Sequence, residues 1–146
     1  MFDGHQQEVD TLDFSPDIRL IVSGSGDNTV RIWDMVDGTS NVLTINDGDS
    51  LNYDHGVTSV AISPNGQFVA AGSLDSAVRI WDVDSAQFVE RLRGHGDGVY
   101  SVVFTPESPD GKGLVSGSID TEIGRDRDIE RLIQDTDGRI HATCPQ

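Results

Sequence analysis

Three residues of this 146-residue chain, His5, Ser23 and Asp27, are of the types a nucleophilic hydrolase uses as base, nucleophile and orienting acid. The set does not stand alone. Trp33 follows Asp27 by six residues, and the series returns twice. In the second copy Asp75 and Trp81 keep that spacing, while Tyr53 and Ala71 stand where the His and Ser are expected. His55 lies two residues further on and reads as a loop histidine. The third copy has His95, Ser116 and Asp120, with Asp126 where the Trp is expected. A catalytic triad needs one exposed nucleophile, and no Gly-x-Ser-x-Gly elbow is present. A repeated set that includes Trp reads instead as a buried network. The indole N–H only donates, a carboxylate only accepts, and Ser and His do both, so the four can satisfy one another. Leaving one member unpaired would cost roughly 1–3 kcal/mol.

Other chemistry finds little support. The sequence has no Gly-x-x-x-x-Gly-Lys-Ser/Thr, no Gly-x-Gly-x-x-Gly and no His-Glu-x-x-His. Asn46-Asp47-Gly48-Asp49 and Asp135-Thr136-Asp137-Gly138 are faintly calcium-like, but neither has the twelve-residue loop pattern, and both read as solvated acidic loops. His141 and Cys144 lack further ligands nearby, which argues against zinc. No metal, no cofactor and no enzymatic activity are expected. Ten Lys and Arg against 25 Asp and Glu give a formal net charge of -15. Such a surface repels phosphates, so direct nucleic-acid binding is not expected, whereas basic tails fit. The single cysteine excludes an internal disulfide and fits a reducing compartment. The polar, acidic start does not read as a signal peptide. Apolar runs such as Phe68 to Ala71 fall far short of the roughly 20 residues of a membrane span.

The elements that position these residues repeat as well. Aligning Ser15 to Asp34 with Ser63 to Asp82 gives 10 identities in 20 positions at an offset of 48. The third copy follows at an offset of 42 at Pro106 and 45 at Asp120, which puts an insertion between Glu107 and Gly113. β-Branched and aromatic runs predict strands at Val9 to Phe14, Val57 to Ile62 and Val99 to Phe104. Further strands are predicted at Leu20 to Ser23, Phe68 to Ala71 and Leu114 to Ser116. Val30 to Trp33 and Val78 to Trp81 give a third strand, Val42 to Ile45 and Phe88 to Leu92 a fourth. Ser/Thr-Pro turns follow each first strand, and Gly-Ser-x-Asp turns join the second to the third. Four strands in roughly 45 residues, opened by Gly-His and closed by Trp-Asp, is the pattern of a β-propeller blade.

Gly4-His5 to Trp33-Asp34 resembles a WD40 repeat at every diagnostic position. Several segments are similar to the C-terminal propeller of fungal Tup-type general transcriptional co-repressors: Gly4 to Val9, Leu20 to Asp27, Gly56 to Pro64, Val69 to Asp75, Val89 to Leu92, Val99 to Phe104 and Leu114 to Ser118. The resemblance covers about residues 4–120. It implies an all-β chain of WD40 blades, about two complete and one incomplete, in an open partial propeller. The repeats fall at 4–46, 47–93 and 94–123, and 124–146 form a divergent tail. It also implies a scaffold that docks proteins on the face whose loops enter each first strand. The implied partners are DNA-binding repressors, a tetratricopeptide-repeat adaptor and histone tails, and the implied location is the nucleus, otherwise the cytoplasm. By the same resemblance, the residue after each first-strand Val is expected to point to that face: Asp10, Thr58 and Tyr100, with Glu8, Tyr53 and Asp97 in adjoining loops. Asp10 stands where the family usually has a tyrosine. Another WD40 adaptor, such as a ubiquitin-ligase receptor or a ribosome-biogenesis scaffold, would have the same fold. A non-functional truncated fragment is the remaining reading.

The tail departs from the pattern. Thr121 to Asp126 replaces the expected third strand. In Arg127 to Gln134 the charges alternate, and Ile129, Leu132 and Ile133 sit at helical spacing, so a short helix or a disordered segment is expected. An arc of about three blades would leave two outer faces without neighbours.

Overall fold

The computed structural model describes residues 1–45, 56–92, 96–104, 114–119, 129–134 and 140–143. Their twelve strands form three antiparallel four-stranded sheets. The first sheet contains β1 (Val9–Phe14), β2 (Leu20–Ser25), β3 (Thr29–Asp34) and β4 (Ser40–Thr44). The second contains β5 (Val57–Ile62), β6 (Phe68–Ser73), β7 (Val78–Asp82) and β8 (Phe88–Leu92). The third contains β9 (Val99–Phe104), β10 (Leu114–Ile119), β11 (Ile129–Gln134) and β12 (Ile140–Thr143). Spatial order follows chain order in each sheet, so every link is a hairpin. The same four-stranded construction thus recurs three times.

The turns explain the hairpins. Ser15 Oγ accepts the Leu20 N–H at 2.9 Å, and Ser63 Oγ accepts the Phe68 N–H at 2.9 Å, closing the turn after each first strand. Gly66 completes the second of these turns at φ +72°. In the β2–β3 turn Asp27 accepts the Thr29 N–H at 2.9 Å, and Asp75 accepts the Ala77 N–H at 3.2 Å.

The tail differs from expectation. β11 and β12 lie within 124–146, and β11 pairs with β10 from Leu114↔Gln134 to Ile119↔Ile129. The helical spacing of Ile129, Leu132 and Ile133 does not set the structure, because residues 129–134 run as a strand along β10. A lone eight-residue helix is marginal in water, whereas pairing with β10 supplies backbone partners along the segment.

The sheets stack in sequence, with β5 against β1 and β9 against β5. One apolar core lies between the first two sheets, where Val22, Val30 and Ile32 meet Val57, Val60 and Ile62. A second lies between the next two, where Ala70, Val78 and Ile80 meet Val99, Val102 and Phe104. Two glycines set the separation. A Cβ at Gly24 would lie 2.4 Å from Val57 Cγ1, and one at Gly72 would lie 2.7 Å from Val99 Cγ1. Hydrogen bonds cross the same seams. Thr11 Oγ1 accepts the Val60 N–H at 3.1 Å, Asp13 Oδ2 the Ile62 N–H at 2.9 Å, and Ser59 Oγ the Val102 N–H at 3.2 Å.

Gly24→Ala should therefore destabilise the chain by about 1–3 kcal/mol through overpacking. Adding Val57→Ala should recover part of that loss in urea unfolding. Additive losses in the double variant would refute the contact.

Candidate functional site

The first sheet brings its polar set together. His5 Nε2 lies 2.7 Å from Ser23 Oγ and His5 Nδ1 lies 2.9 Å from Asp27 Oδ2. The Trp33 indole N–H donates to the same Ser23 Oγ at 2.8 Å. The Thr29 hydroxyl donates to Asp27 Oδ1 at 2.6 Å, and the Gln6 N–H donates to Asp27 Oδ2 at 3.0 Å. Burial alone would raise the Asp27 carboxyl. The donors from Thr29, Gln6 and His5 outweigh it and hold Asp27 well below the ordinary carboxylate range. Ser23 is buried and its oxygen already engages both the indole and the imidazole, so the set ties β2, β3 and the segment before β1 into one unit. Phe2 closes over Trp33 with ring centroids 5.4 Å apart, and the Arg31 guanidinium lies 5.6 Å from the centre of the indole.

The second sheet solves the same problem differently. Ala71 has no hydroxyl, and Tyr53 lies outside the described residues. Asp75 instead receives two hydrogen bonds from Arg79, at 3.1 Å from Nη1 and 2.6 Å from Nη2. Arg79 is 2% exposed, and Trp81 is buried beside it. Burial would raise the Asp75 carboxyl, and the Arg79 pairing lowers it below its usual value. Arg79 was invisible as a functional residue because it occupies the repeated Val-Arg-Ile-Trp-Asp string. The signal for it was the loss of His and Ser around a retained Asp. At the equivalent position in the first sheet, Arg31 has a buried Nε with no hydrogen-bond partner among the described residues. In the third sheet His95 and Asp120 lie outside the described residues. Ser116 is placed by its backbone alone, paired with Val102 and Leu132.

The loop-bearing edge has its own geometry. Each first strand carries a register irregularity at its start, between Val9 and Thr11, between Val57 and Ser59, and opposite Gly117 and Ser118. The extra residues are Asp10, Thr58 and Tyr100. A bulge re-aims its side chain and commonly serves that purpose beside functional sites. Asp10 is exposed, and Tyr100 is 49% exposed. Thr58 is half-buried, and its hydroxyl lies against the Val99 carbonyl and 3.2 Å from the Gly72 carbonyl, joining β5 to its neighbours. Glu8 and Asp97 are exposed on the loops entering β1 and β9. The Glu8 carbonyl accepts the Gly26 N–H at 3.3 Å, and Asp97 Oδ1 accepts the Gly98 N–H at 2.6 Å. Leu74, which the sequence did not single out, lies between the loops entering β5 and β9. Its N–H donates to the Gly56 carbonyl at 3.1 Å, and a Cβ at Gly98 would sit 3.3 Å from its Cα. The variable position in Gly-Ser-x-Asp was its only sequence signal. Among the described residues no group of three His, Cys, Asp or Glu could hold a metal ion, and no helix is long and apolar enough to cross a membrane.

Two stability outcomes follow. A carboxyl whose folded pKa is depressed stabilises the fold above its ordinary value and loses that contribution as pH falls through the folded pKa. Asp27→Asn should be less stable than the parent at neutral pH. The gap should close as pH falls below the ordinary 3.8. A pH-independent gap in urea midpoints would refute the charge network. Arg79→Met should cost about 3–5 kcal/mol, because it strands a buried carboxylate. Arg31→Met, which loses chiefly a stacking contact, should cost no more than about 1 kcal/mol. Equal losses in the two would contradict the assignment.

Comparisons with known proteins agree with this construction. The WD40 family model (WD domain, G-beta repeat) matches residues 1–34, 49–82 and 86–123. Nuclear distribution protein nudF 2 of Penicillium rubens is 44% identical over 105 residues, 71% of this chain and 22% of that protein. Ribosome assembly protein 4 of Saccharomyces cerevisiae is 54% identical over 35 residues, 24% of this chain and 7% of that protein. The chain therefore spans less than a quarter of the length of these relatives. The crystal structure of the RRP9 WD40 repeats superposes with a TM-score of 0.79 at 22% identity, over 96% of this chain and 39% of that one. With three matched repeats and three sheets of the same construction, the chain belongs to the WD40 repeat family.

Proposed function

We propose that the chain is part of a protein-interaction scaffold of the transcriptional co-repressor kind, docking basic segments such as histone tails on its loop-bearing edge and acting in the nucleus. The observation that carries this reading is the repeated bulge. It takes Asp10 and Tyr100 out of the strand ladders at the loop-bearing edge, where Glu8 and Asp97 lie on the entering loops and Leu74 between the loops to β5 and β9. Tyr100 supplies a rigid aromatic surface with a polar tip, Leu74 an apolar neighbour 38% exposed, and the acids complement a cation. The net charge of -15 favours the encounter over long range. The wording of residues 4–120, which resembles the Tup-type propeller, supports the co-repressor assignment, and DNA-binding repressors and a tetratricopeptide-repeat adaptor are its further partners. No catalytic step enters the proposal.

The similarity to ribosome assembly protein 4 favours a second reading as a ribosome-assembly scaffold. Tethering the chain beside a reporter promoter separates the two. Lowered expression supports the co-repressor, and co-sedimentation with ribosomal precursors supports the alternative.

Tyr100→Ala should weaken binding of a Lys-rich histone-tail peptide at least about tenfold, equivalent to about 1.4 kcal/mol, with an unchanged thermal melt. Binding should also weaken with added salt. A lowered melt with binding retained in the folded fraction would make Tyr100 structural and overturn the surface assignment.

A further inference from the structure

At the end away from the entering loops, the seam between the first two sheets opens into a groove of about 460 Å³. The β1–β2 and β3–β4 turns form one wall, and the β5–β6 and β7–β8 turns form the other. Its floor is apolar, with Ile32 and Val83 buried and Leu20 half-buried. Its rim carries three carboxylates, Asp17, Asp34 and Asp84, and one guanidinium, Arg19. Arg19 is already engaged: its Nε and Nη2 donate to Asp34 Oδ2 at 3.1 and 2.9 Å, and Nη2 lies 3.6 Å from Asp37. Asp17 accepts neutral donors, the Ser15 hydroxyl and the Arg19 N–H. Asp84 is exposed and makes no ion pair among the described residues. Two carboxylates at the rim are therefore left without a cation in contact.

The fold does not require those charges. At the offset of 48 the second sheet has Asn65 for Asp17 and Gln67 for Arg19. Its turn closes with the same bonds. Asn65 Oδ1 accepts the Ser63 hydroxyl at 2.6 Å and the Gln67 N–H at 3.0 Å, as Asp17 Oδ1 accepts the Ser15 hydroxyl at 2.5 Å and the Arg19 N–H at 3.1 Å. The wall differs in the same way. Ser40 and Asn41 are exposed along the groove, and their counterparts are Phe88 and Val89, with Phe88 packed edge-on against Trp81 at 6.1 Å between centroids. Acids and small polar groups over an apolar floor thus belong to the first seam, and no common turn chemistry accounts for them.

We infer that this groove binds a linear peptide segment in which an aliphatic side chain stands next to a Lys or Arg. The aliphatic side chain covers Leu20, Ile32 and Val83, and the cation meets the carboxylates of Asp17 and Asp84. The Ser40 hydroxyl and the Asn41 amide can both donate and accept, which suits the backbone of an extended segment. The excess of carboxylates over guanidinium at the rim repels an acidic segment and attracts a basic one. Every residue of the groove lies between 15 and 84, within one seam, so the site is independent of what adjoins the outer sheets. It is also independent of what binds the loop-bearing edge, which lies at the other end of the strands.

Amide magnetic resonance spectra of the intact chain, titrated with the blocked peptide Gly-Gly-Leu-Lys-Gly-Gly, test it. Saturable shifts are expected at Ser40, Asn41 and Gly66, and Tyr100→Ala should leave them unchanged. Asp17→Asn with Asp84→Asn should weaken binding at least about fivefold, and added salt should weaken it in the parent. The double variant should keep its strand circular dichroism, because Asp84 is exposed and Asn65 shows that the turn closes around an amide. A peptide with Glu in place of Lys should give no shifts, and one with Gly in place of Leu should bind at least about fivefold more weakly. Equal affinity in the double variant would overturn the inference. So would equal affinity for the peptide without Leu, which is the result for a cation held by acids alone. Shifts confined to the loop-bearing edge, or shifts that never saturate, would overturn it as well.

Discussion

The distance between one sheet and the next is set where a strand without side-chain bulk meets valine. Gly24 against Val57 and Gly72 against Val99 leave no room for a methyl group, and everything else in the stack follows from that approach. It lets the hydroxyls of Thr11 and Ser59 reach backbone N–H groups of the following sheet. It also places the apolar residues of β2 and β3 against those of β5, and the second sheet is apolar on both faces, packed against the first on one side and the third on the other. The seams are thus specified by backbone proximity and polar contacts together. Apolar burial drives their formation, and the hydrogen bonds fix the register.

Within a sheet the constraint is polar. An aspartate in the β2–β3 turn accepts turn N–H groups, which leaves a charge close to the core that needs a donor. The first sheet answers with His5, held between Asp27 and Ser23, and with Trp33 donating to that serine. The second answers with one residue, Arg79, whose planar fork makes two bonds to Asp75. Both arrangements leave the carboxylate ionised, and both anchor the third strand to the turn. The sequence before its first strand differs as well, with Tyr53 in place of His.

Strand positions, hairpin order and the three-fold repetition were legible because the repeats punctuate themselves. Ser-Pro turns, Gly-Ser-x-Asp turns and β-branched runs recur at nearly constant offsets, and observed boundaries such as Val9–Phe14 and Val57–Ile62 coincide with those read from composition. Local pattern was insufficient at Arg127 to Gln134, where the spacing of Ile129, Leu132 and Ile133 fits a helix although 129–134 form a strand. There the available partner, β10, decided the matter. Thr58 shows a related limit. Its place after the first-strand valine was readable, but its hydroxyl is taken up by carbonyls of β6 and β9. Which bulged residue faces solvent depends on the next sheet, and no spacing within one repeat carries that information.

The bulges connect this framework to recognition. A regular first strand would send Asp10 and Tyr100 into the alternation of the sheet, and one face of that alternation is buried in a seam. The extra residue removes them from the ladder while leaving Val9 and Val99 in the apolar register. Residues in the seam are bound by the glycine spacing and can vary little. Residues at the bulge and on the entering loops touch little of the core and can vary freely. The chain accordingly carries small and apolar residues along its seams and acids with one exposed tyrosine at the loop-bearing end. Specificity for a partner can therefore change there without disturbing the stack, because the two sets of positions share one strand but face different surroundings.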